Sequence, residues 1–186
     1  RSATAKIVHD RIIAESERII GLQPVERVKV GKRMIAVSRE ALKRIFYLSY
    51  SYLTTDDVRY AQRAEREMLA ISKFDDWNPV HFLDVGEMTL AMAIGYDWLY
   101  RYLPVHSRSI IGTAIYEKGL RATENERQAS FFRSKNHLVI LSEIADIFTD
   151  GFFEHVGGGA TLFQEAVHVN SRLFLLCPLV GDSNIA

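Results

Sequence analysis

The polar and aromatic segment at residues 75–84 holds the side chains best suited to chemistry. Trp77, Asn78 and His81 lie in a loop that contains Pro79 and leads directly into a predicted helix. A flat indole can stack on a sugar ring, while amide and imidazole groups can hydrogen-bond its hydroxyls. The alternative interpretation is an ordinary helix cap and a helix–helix contact. The segment therefore indicates either a sugar-binding loop or a structural turn.

Aromatic residues near the far end of the same predicted helix extend this set. The rings of Tyr96, Trp98, Tyr100 and Tyr102 are spread too widely around a helix to form one stripe. Some of them must therefore belong to the core. We expect Tyr96 and Trp98 to be the ones that reach a cleft and contact substrate.

Carboxylates and histidines offer other chemistry, but their spacing limits it. Asp84 and Glu87 share one helix face, whereas glycoside hydrolysis needs two carboxyl groups across a bond, so an α/α-barrel hydrolase is the weaker alternative. His81 and Asp84 lie one turn apart and could line a cleft, although Asp84 more simply caps the helix. The six histidines form no metal-binding pattern. We predict no metal site and no cofactor.

Charged residues at helical spacing also have a structural interpretation. We expect the arginines to lie on solvated faces with glutamates as partners: Arg39, Arg44, Arg63 and Arg66 with Glu40, Glu65 and Glu67.

Composition indicates a globular chain and narrows the partners. The 186 residues are 48% apolar and 25% charged, with 23 basic and 23 acidic side chains. Because no basic excess exists to neutralise phosphates, we predict no nucleic-acid partner, although a local positive cleft remains compatible with a polyanion. No apolar run reaches the length of a membrane span, so we predict no membrane insertion. The single Cys177 excludes an internal disulfide.

Helical periodicity dominates the chain and predicts an all-α fold of antiparallel helical hairpins. Ser38 is a plausible N-cap, Thr55-Asp56 opens a helix, and Gly119 suits the position after a helix end. The β-branched stretch 25–37 predicts a short hairpin or an irregular connection. The hairpins could wrap into a toroid or stack as a solenoid. The seven predicted helices span about 3–20, 38–53, 55–74, 83–103, 106–118, 137–149 and 160–176.

Several segments together carry a resemblance to a known family. They are residues 37–44 and 63–69, Asp-Trp-Asn-Pro-Val-His-Phe-Leu-Asp at 76–84 with Gly-Glu-Met-Thr at 86–89, and Ile-Gly-Tyr-Asp-Trp-Leu-Tyr at 94–100. Over about residues 13–120 the chain resembles the N-terminal helical domain of the heparinase II/III-like polysaccharide lyases. The resemblance implies a bacterial, periplasmic or secreted enzyme with an incomplete (α/α) toroid followed by a β-sandwich.

The resemblance also implies an activity and a division of the chain. Such lyases cleave acidic, uronate-containing polysaccharides or oligosaccharides by β-elimination, which needs a proton acceptor, a group that neutralises the carboxylate and an acid for the leaving oxygen. Residues 1–150 would form the helical toroid-like domain. Residues 151–186 would form a Gly-rich linker and a C-terminal helix of uncertain origin.

By the same resemblance, the catalytic residues are Asn136 and His137. Asn136 would neutralise the uronate carboxylate and His137 would be a neighbouring donor or base; the alternative is that Asn136 only caps a helix. The chain departs from the family pattern because no tyrosine follows Tyr116 and no strand-rich domain is present. We therefore expect a truncated or diverged lyase whose 186 residues alone show little or no turnover. The rival hypothesis is a non-catalytic helical module that binds glycan or protein.

Overall fold

A computed structural model describes residues 3–121, and this part of the chain is entirely helical apart from its connections. The prediction of an all-α fold is confirmed. The predicted helices beyond residue 136, the Gly-rich segment, the domain boundary at 150, Asn136 and His137 all lie outside the described residues. The helices are α1 (Ala3–Ile20), α2 (Ile35–Thr55), α3 (Val58–Ser72), α4 (Phe82–Trp98) and α5 (Val105–Ala114), followed by a π-helical segment, Ile115–Leu120.

Helices α2 and α4 lie side by side and run in the same direction. Near their beginnings, the Ser38 hydroxyl donates to the backbone oxygen of Asp84 at 2.9 Å. At the other end, the ring of Tyr52 in the last turn of α2 meets the ring of Tyr102, just beyond α4, edge to face with centroids 5.6 Å apart. The beginnings of the two helices are therefore in contact, and so are their ends, which shows that they are parallel. Helix α3 connects the end of α2 to the loop before α4.

Helix α3 and the α5–π segment are paired in the same way. Ser107 hydrogen-bonds to Glu65 near one end. At the other end, the ammonium of Lys118 donates to the backbone oxygen of Ser72 at 2.6 Å. Helices α2 and α4 are thus parallel, as are α3 and the α5–π segment, an arrangement that suits stacked helical hairpins. The closure of these hairpins into part of a toroid stays a prediction.

Two glycines allow the helices to approach closely. A Cβ atom on Gly95 of α4 would lie 2.5 Å from Cγ2 of Ile45 and 2.6 Å from the sulfur of Met68. A Cβ atom on Gly119 would lie 2.6 Å from the Thr89 hydroxyl. Gly119 was expected to follow a helix end, and this was wrong. It lies inside the π-helical segment, where its lack of a side chain permits contact with α4.

Several helix ends differ from the sequence expectations by a few residues. Helix α2 begins at Ile35, so Ser38 is a buried residue of its first turn rather than its N-cap. Asp56 adopts a left-handed conformation at the end of α2. Asp57 then caps α3 by accepting the backbone N–H of Arg59 at 3.0 Å. The connection 21–34 is irregular, with one bridge between Val30 and Arg33.

One pair of charges expected on a solvated face is buried. Arg63 and Glu67 are 1% and 0% exposed and form an ion pair one turn apart on α3. Glu67 also accepts the backbone N–H of Val25 at 2.8 Å, and Arg44 lies 3.5 Å away. The pair therefore anchors the connection after α1, and the solvated-face expectation for Arg63 and Glu67 was wrong.

Candidate functional site around His81 and Asp84

Asp84 is the centre of a polar cluster at the start of α4. Its side chain is fully buried, yet both carboxyl oxygens are satisfied. Oδ2 accepts the backbone N–H of Met34 at 2.7 Å and the side-chain amide of Asn78 at 2.5 Å, while Oδ1 lies 2.9 Å from Nδ1 of His81. Asp84, expected to cap its own helix, instead binds the backbone N–H of Met34, the residue just before α2.

His81 is the accessible member of this cluster. It precedes α4 with extended backbone angles, which directs its ring back onto Asp84. The side chain is 24% exposed, and within residues 3–121 only Nδ1 is hydrogen-bonded to the protein. A buried carboxylate that holds one imidazole nitrogen leaves the other nitrogen oriented for a ligand or substrate.

Asn78 has a structural role that uses all of its polar groups. It is 1% exposed and has a positive φ of 60°, a conformation that asparagine tolerates well. Its amide nitrogen donates to Asp84 and, at 2.8 Å, to the backbone oxygen of Lys32. Its side-chain oxygen accepts from Lys29 at 3.3 Å. Asn78, expected to bind sugar, is therefore buried here, and its side-chain polar groups all bond to the protein.

The cluster carries a basic turn, which we define as residues 29–33. Gly31 has a positive φ of 61°, and the turn presents Lys29, Lys32 and Arg33 to solvent. Contacts of Lys29 and Lys32 with Asn78 fix this turn beside His81. The signal was visible in the sequence as three cations around one glycine, but only the fold shows that they adjoin the loop at 78–81.

An ion pair braces the other side of the same loop. Arg27 donates to the backbone oxygen of Asp76 at 3.1 Å and also pairs with its carboxylate. Burial disfavours ionisation of Asp76, but hydrogen bonds from Arg27 and from the backbone of Asn78 keep its pKa below the ordinary value. The two connections, 21–34 and 73–81, are thus tied at several points.

Trp77, expected to line a sugar cleft, lies in the core. Its indole is fully buried, its ring nitrogen donates to the backbone oxygen of Ile71 at 3.4 Å, and its ring edge faces Gly119. A ring without an exposed face cannot stack on a sugar in this conformation. Trp77 instead seats the loop against α3 and the π-helical segment.

The aromatic residues Tyr96 and Trp98 are not brought together with His81. Fifteen to seventeen residues of helix place them roughly 25 Å along α4. Tyr96 is 8% exposed and meets Tyr100 edge to face, while the ring of Trp98 packs on Phe46 with centroids 5.1 Å apart. One sugar could not contact both ends of α4. The expected five-residue substrate site is therefore divided: His81 and Asn78 lie in the cluster at Asp84, and of these two His81 is the accessible one.

Asp97 is a second unusual group on α4. It is 2% exposed, and neither carboxyl oxygen has a hydrogen-bonding partner among the described residues. Burial raises the pKa of Asp97 to about 6. Nothing in residues 3–121 connects it to the cluster at His81, which lies near the opposite end of the helix.

Two further observations concern other classes of function. Among residues 3–121, no three histidine, cysteine or acidic side chains come together as metal ligands. In the same part of the chain, no helix combines the length and apolar character that crossing a membrane would require.

Comparisons with family models and with curated proteins found no relative of this chain. No family model matches the chain, and no curated protein matches it. The resemblance to polysaccharide lyases therefore rests on the sequence segments quoted above.

Proposed function

We propose that this chain is the N-terminal helical part of a polysaccharide lyase that cleaves acidic, uronate-containing glycans, and that His81 and the basic turn bind the acidic sugar. The observation that carries the proposal is the position of a partly exposed imidazole, held by a buried carboxylate, next to exposed cations. The sequence segments at 76–89 and 94–100 support the enzyme class by resemblance. A periplasmic or secreted location and the implied roles of Asn136 and His137 belong to the same proposal.

Local charge supports an acidic ligand although the whole chain is neutral. Within residues 3–121, no carboxylate forms an ion pair with Lys29, Lys32 or Arg33, and the nearby Asp76 is paired with Arg27. Positive charge on one side of a site attracts an anion even when the net charge is zero. A glycan carboxylate is thus the ligand group that suits the turn best.

The carboxylates of α4 give less support to a glycoside hydrolase. Asp84 is buried and saturated with hydrogen bonds, and Glu87 is paired with Arg39 at 3.1 Å. Neither is placed to act across a cleft from the other. The hydrolase alternative therefore has no support from these two groups.

Calorimetric titration tests the binding part of the proposal. We expect uronate oligosaccharides to bind and uncharged oligosaccharides of equal length not to bind. Replacing Lys29, Lys32 and Arg33 together by Gln should weaken binding about tenfold, since three partly solvated charges contribute roughly 1.5 kcal/mol in all. Added salt should weaken the wild-type interaction. A control variant with Lys6→Gln and Arg101→Gln should bind like wild type, and equal weakening in both would contradict the proposed site.

Product analysis separates the lyase from a non-catalytic binding module. β-Elimination creates an unsaturated sugar end that absorbs ultraviolet light, and a binding module creates none. In any form of the protein that turns over, Asn136→Ala should lower turnover about 10²-fold, as expected for a group that stabilises developing negative charge. Saturable glycan binding without an unsaturated product, even from a longer form of the protein, would favour the binding module.

A further inference from the structure

We infer that residues 138–150 of this chain, which we call the acidic segment, dock on an exposed patch of valines and cations around the basic turn. Beyond its proposed glycan ligand, the turn thereby gains a partner within the same chain. Three features support the docking: the composition of the patch, the charge of the acidic segment and the point at which residues 3–121 lead into the rest of the chain. An acidic glycan would compete with the segment for the same cations.

The patch combines apolar and positive side chains at one end of the helical array. Residues 28–33 are exposed without interruption, and Val30 and Val80 are 80% and 82% exposed. The side chain of Asn78 bonds to Lys29 and to the backbone oxygen of Lys32, so the loop that holds Val80 lies beside the turn. Exposed apolar side chains that are grouped, rather than scattered singly, indicate an interaction surface. We call six residues the valine–cation patch: Val28, Lys29, Val30, Lys32, Arg33 and Val80.

The charge of the patch favours an acidic partner. Among residues 3–121, its three cations have no carboxylate as an ion-pair partner, since the nearby Asp76 is paired with Arg27. Residues 3–121 carry 18 basic and 15 acidic side chains, whereas residues 122–186 carry 4 basic and 8 acidic ones. Complementary charge favours contact between two surfaces. An acidic partner is therefore available within the chain itself.

The acidic segment has the composition that the patch requires. Eight of its thirteen residues are apolar, three are acidic and none is Lys or Arg. The spacing of the acidic residues predicts that they share one face of a helix, and they are Glu143, Asp146 and Asp150. By the same periodicity, three isoleucines flank this face: Ile140, Ile144 and Ile147. One side of the segment therefore matches carboxylates to the three cations and aliphatic groups to the valines.

The chain continues from the same end of the molecule as the patch. The ammonium of Lys118 donates to the backbone oxygen of Phe74, and the next residue, a glycine, faces the ring of Trp77. Residue 121 therefore lies near the loop before α4. Residues 122–137 can span up to about 50 Å at roughly 3.3 Å each, so the acidic segment can reach the patch. A tether of this kind gives an effective concentration of about millimolar, at which weak contacts suffice.

Paramagnetic broadening in the 186-residue chain, without any glycan, measures this contact. A nitroxide is attached at Thr149→Cys in a Cys177→Ser background, and the valine methyl signals are followed by NMR. Position 149 falls on the predicted helix side opposite the acidic face, so the label leaves that face free. We expect the signals of Val30 and Val80 to lose most of their intensity. The signal of Val105, an exposed valine at the start of α5, should keep its intensity.

Charge reversal in the acidic segment tests the attraction. Glu143→Lys together with Asp146→Lys should restore the two valine signals, because like charges then face the patch. The matched control is Glu124→Lys together with Glu126→Lys, which changes the net charge equally outside the segment. This control should leave the broadening as it is in the chain with native charges.

Charge reversal in the patch tests the same contact from the other side. Lys32→Glu together with Arg33→Glu should also restore the valine signals, and both side chains are exposed, so the helices stay intact. Combining these two changes with the two lysine substitutions at 143 and 146 exchanges the charges between the partners. The broadening should then return.

Several results would overturn the inference. They are an absence of broadening in the chain with native charges, and broadening that persists after both charge reversals. Broadening only between a labelled chain and a second, isotope-labelled chain would assign the patch to a second copy. Binding to phosphatidylglycerol vesicles through the two valines, without broadening within the chain, would assign the patch to a membrane surface. Because no glycan is present, none of these results decides the proposed function.

Discussion

The close approach of α4 to its neighbours at Gly95 makes a strong prediction about stability. Two glycines of the same helix, Gly95 and Gly86, have opposite surroundings. A Cβ atom at Gly95 would meet Ile45 at 2.5 Å and Met68 at 2.6 Å, whereas nothing lies within 4 Å of a Cβ atom at Gly86. We expect Gly95→Ala to destabilise the fold and Gly86→Ala to stabilise it.

The magnitudes follow from two opposing effects. Alanine is favoured over glycine inside a helix by about 0.8–1.0 kcal/mol, and this benefit applies at both positions. At Gly95 the added methyl group overfills a packed core, which costs about 1–3 kcal/mol. The cost should reach the upper part of this range because Ile45 is branched at Cβ and cannot swing away, although Met68 can. Gly95→Ala should therefore lose about 2 kcal/mol and Gly86→Ala should gain about 0.5–1 kcal/mol.

Urea denaturation followed by circular dichroism measures this difference. With an m-value of about 2 kcal/mol per molar, the midpoint should fall by about 1 M for Gly95→Ala and rise by up to about 0.5 M for Gly86→Ala. Unchanged m-values would show that the folded and unfolded states are otherwise comparable. A midpoint that rises equally in both variants would refute the packing of α2, α3 and α4 described above.

Three further predictions concern charged groups. Glu67→Gln should cost about 3–5 kcal/mol in thermal or urea denaturation because it leaves the buried Arg63 without its counter-charge, whereas Asp10→Asn on the surface should leave the midpoint almost unchanged. The raised pKa of Asp97, about 6 in the folded state, means that the folded protein binds the proton more tightly than the unfolded chain, so stability should decrease as the pH rises from about 4 to 6. Asp97→Asn should remove this pH dependence, leaving a wild-type-minus-variant difference of roughly 2–3 kcal/mol between pH 4 and 7. Hydrogen bonds from Arg18 and Lys43 lower the pKa of Glu15 to about 2. The contribution of Glu15 to stability should therefore be present above the unfolded-state pKa near 4.5 and be lost as the pH falls from about 4.5 to 2. Glu15→Gln should not show this loss.

Each charge prediction has its own contrary outcome. A loss in Glu67→Gln no larger than in the surface variant would mean that water reaches the pair. Equal pH dependence in wild type and Asp97→Asn would show that Asp97 is solvated when the protein is folded. If Glu15→Gln lost as much stability on acidification as wild type, its ion pairs would contribute nothing measurable.

Local signals in the sequence predicted the helices well but their ends poorly. Apolar spacing located α1 to its last residue and α3 to within a few residues, because each helix must bury one face. The start of α2 could not be predicted in this way. The backbone N–H of Met34, the residue just before α2, is bound by Asp84, a carboxylate fifty residues further along the chain, and no local side chain caps the helix.

The same reason explains which parts of the candidate site were missed. A Glu and an Arg one turn apart look like a solvated pair, and only the packing of the connection at Val25 shows that Arg63 and Glu67 are buried. A tryptophan such as Trp77 can either stack on a sugar or pack in the core, and the sequence does not distinguish the two. Only the surrounding fold shows that Trp77 is buried. The spacing of His81 and Asp84 was informative, since two residues one helical turn apart can contact each other and these two are hydrogen-bonded in the fold.

The bonds to Asp84 also have a consequence for the order of folding. Met34, Asn78 and His81 meet on this carboxylate only after α4 has docked beside α2, so the site depends on a contact between residues fifty positions apart. Contacts between distant parts of a chain form late because they require the closure of a long loop. The loop at 78–81 should therefore remain unstructured until the helices are assembled. Once formed, the backbone amide proton of Met34, which is bound to Asp84, should exchange with solvent only when the whole helical assembly opens.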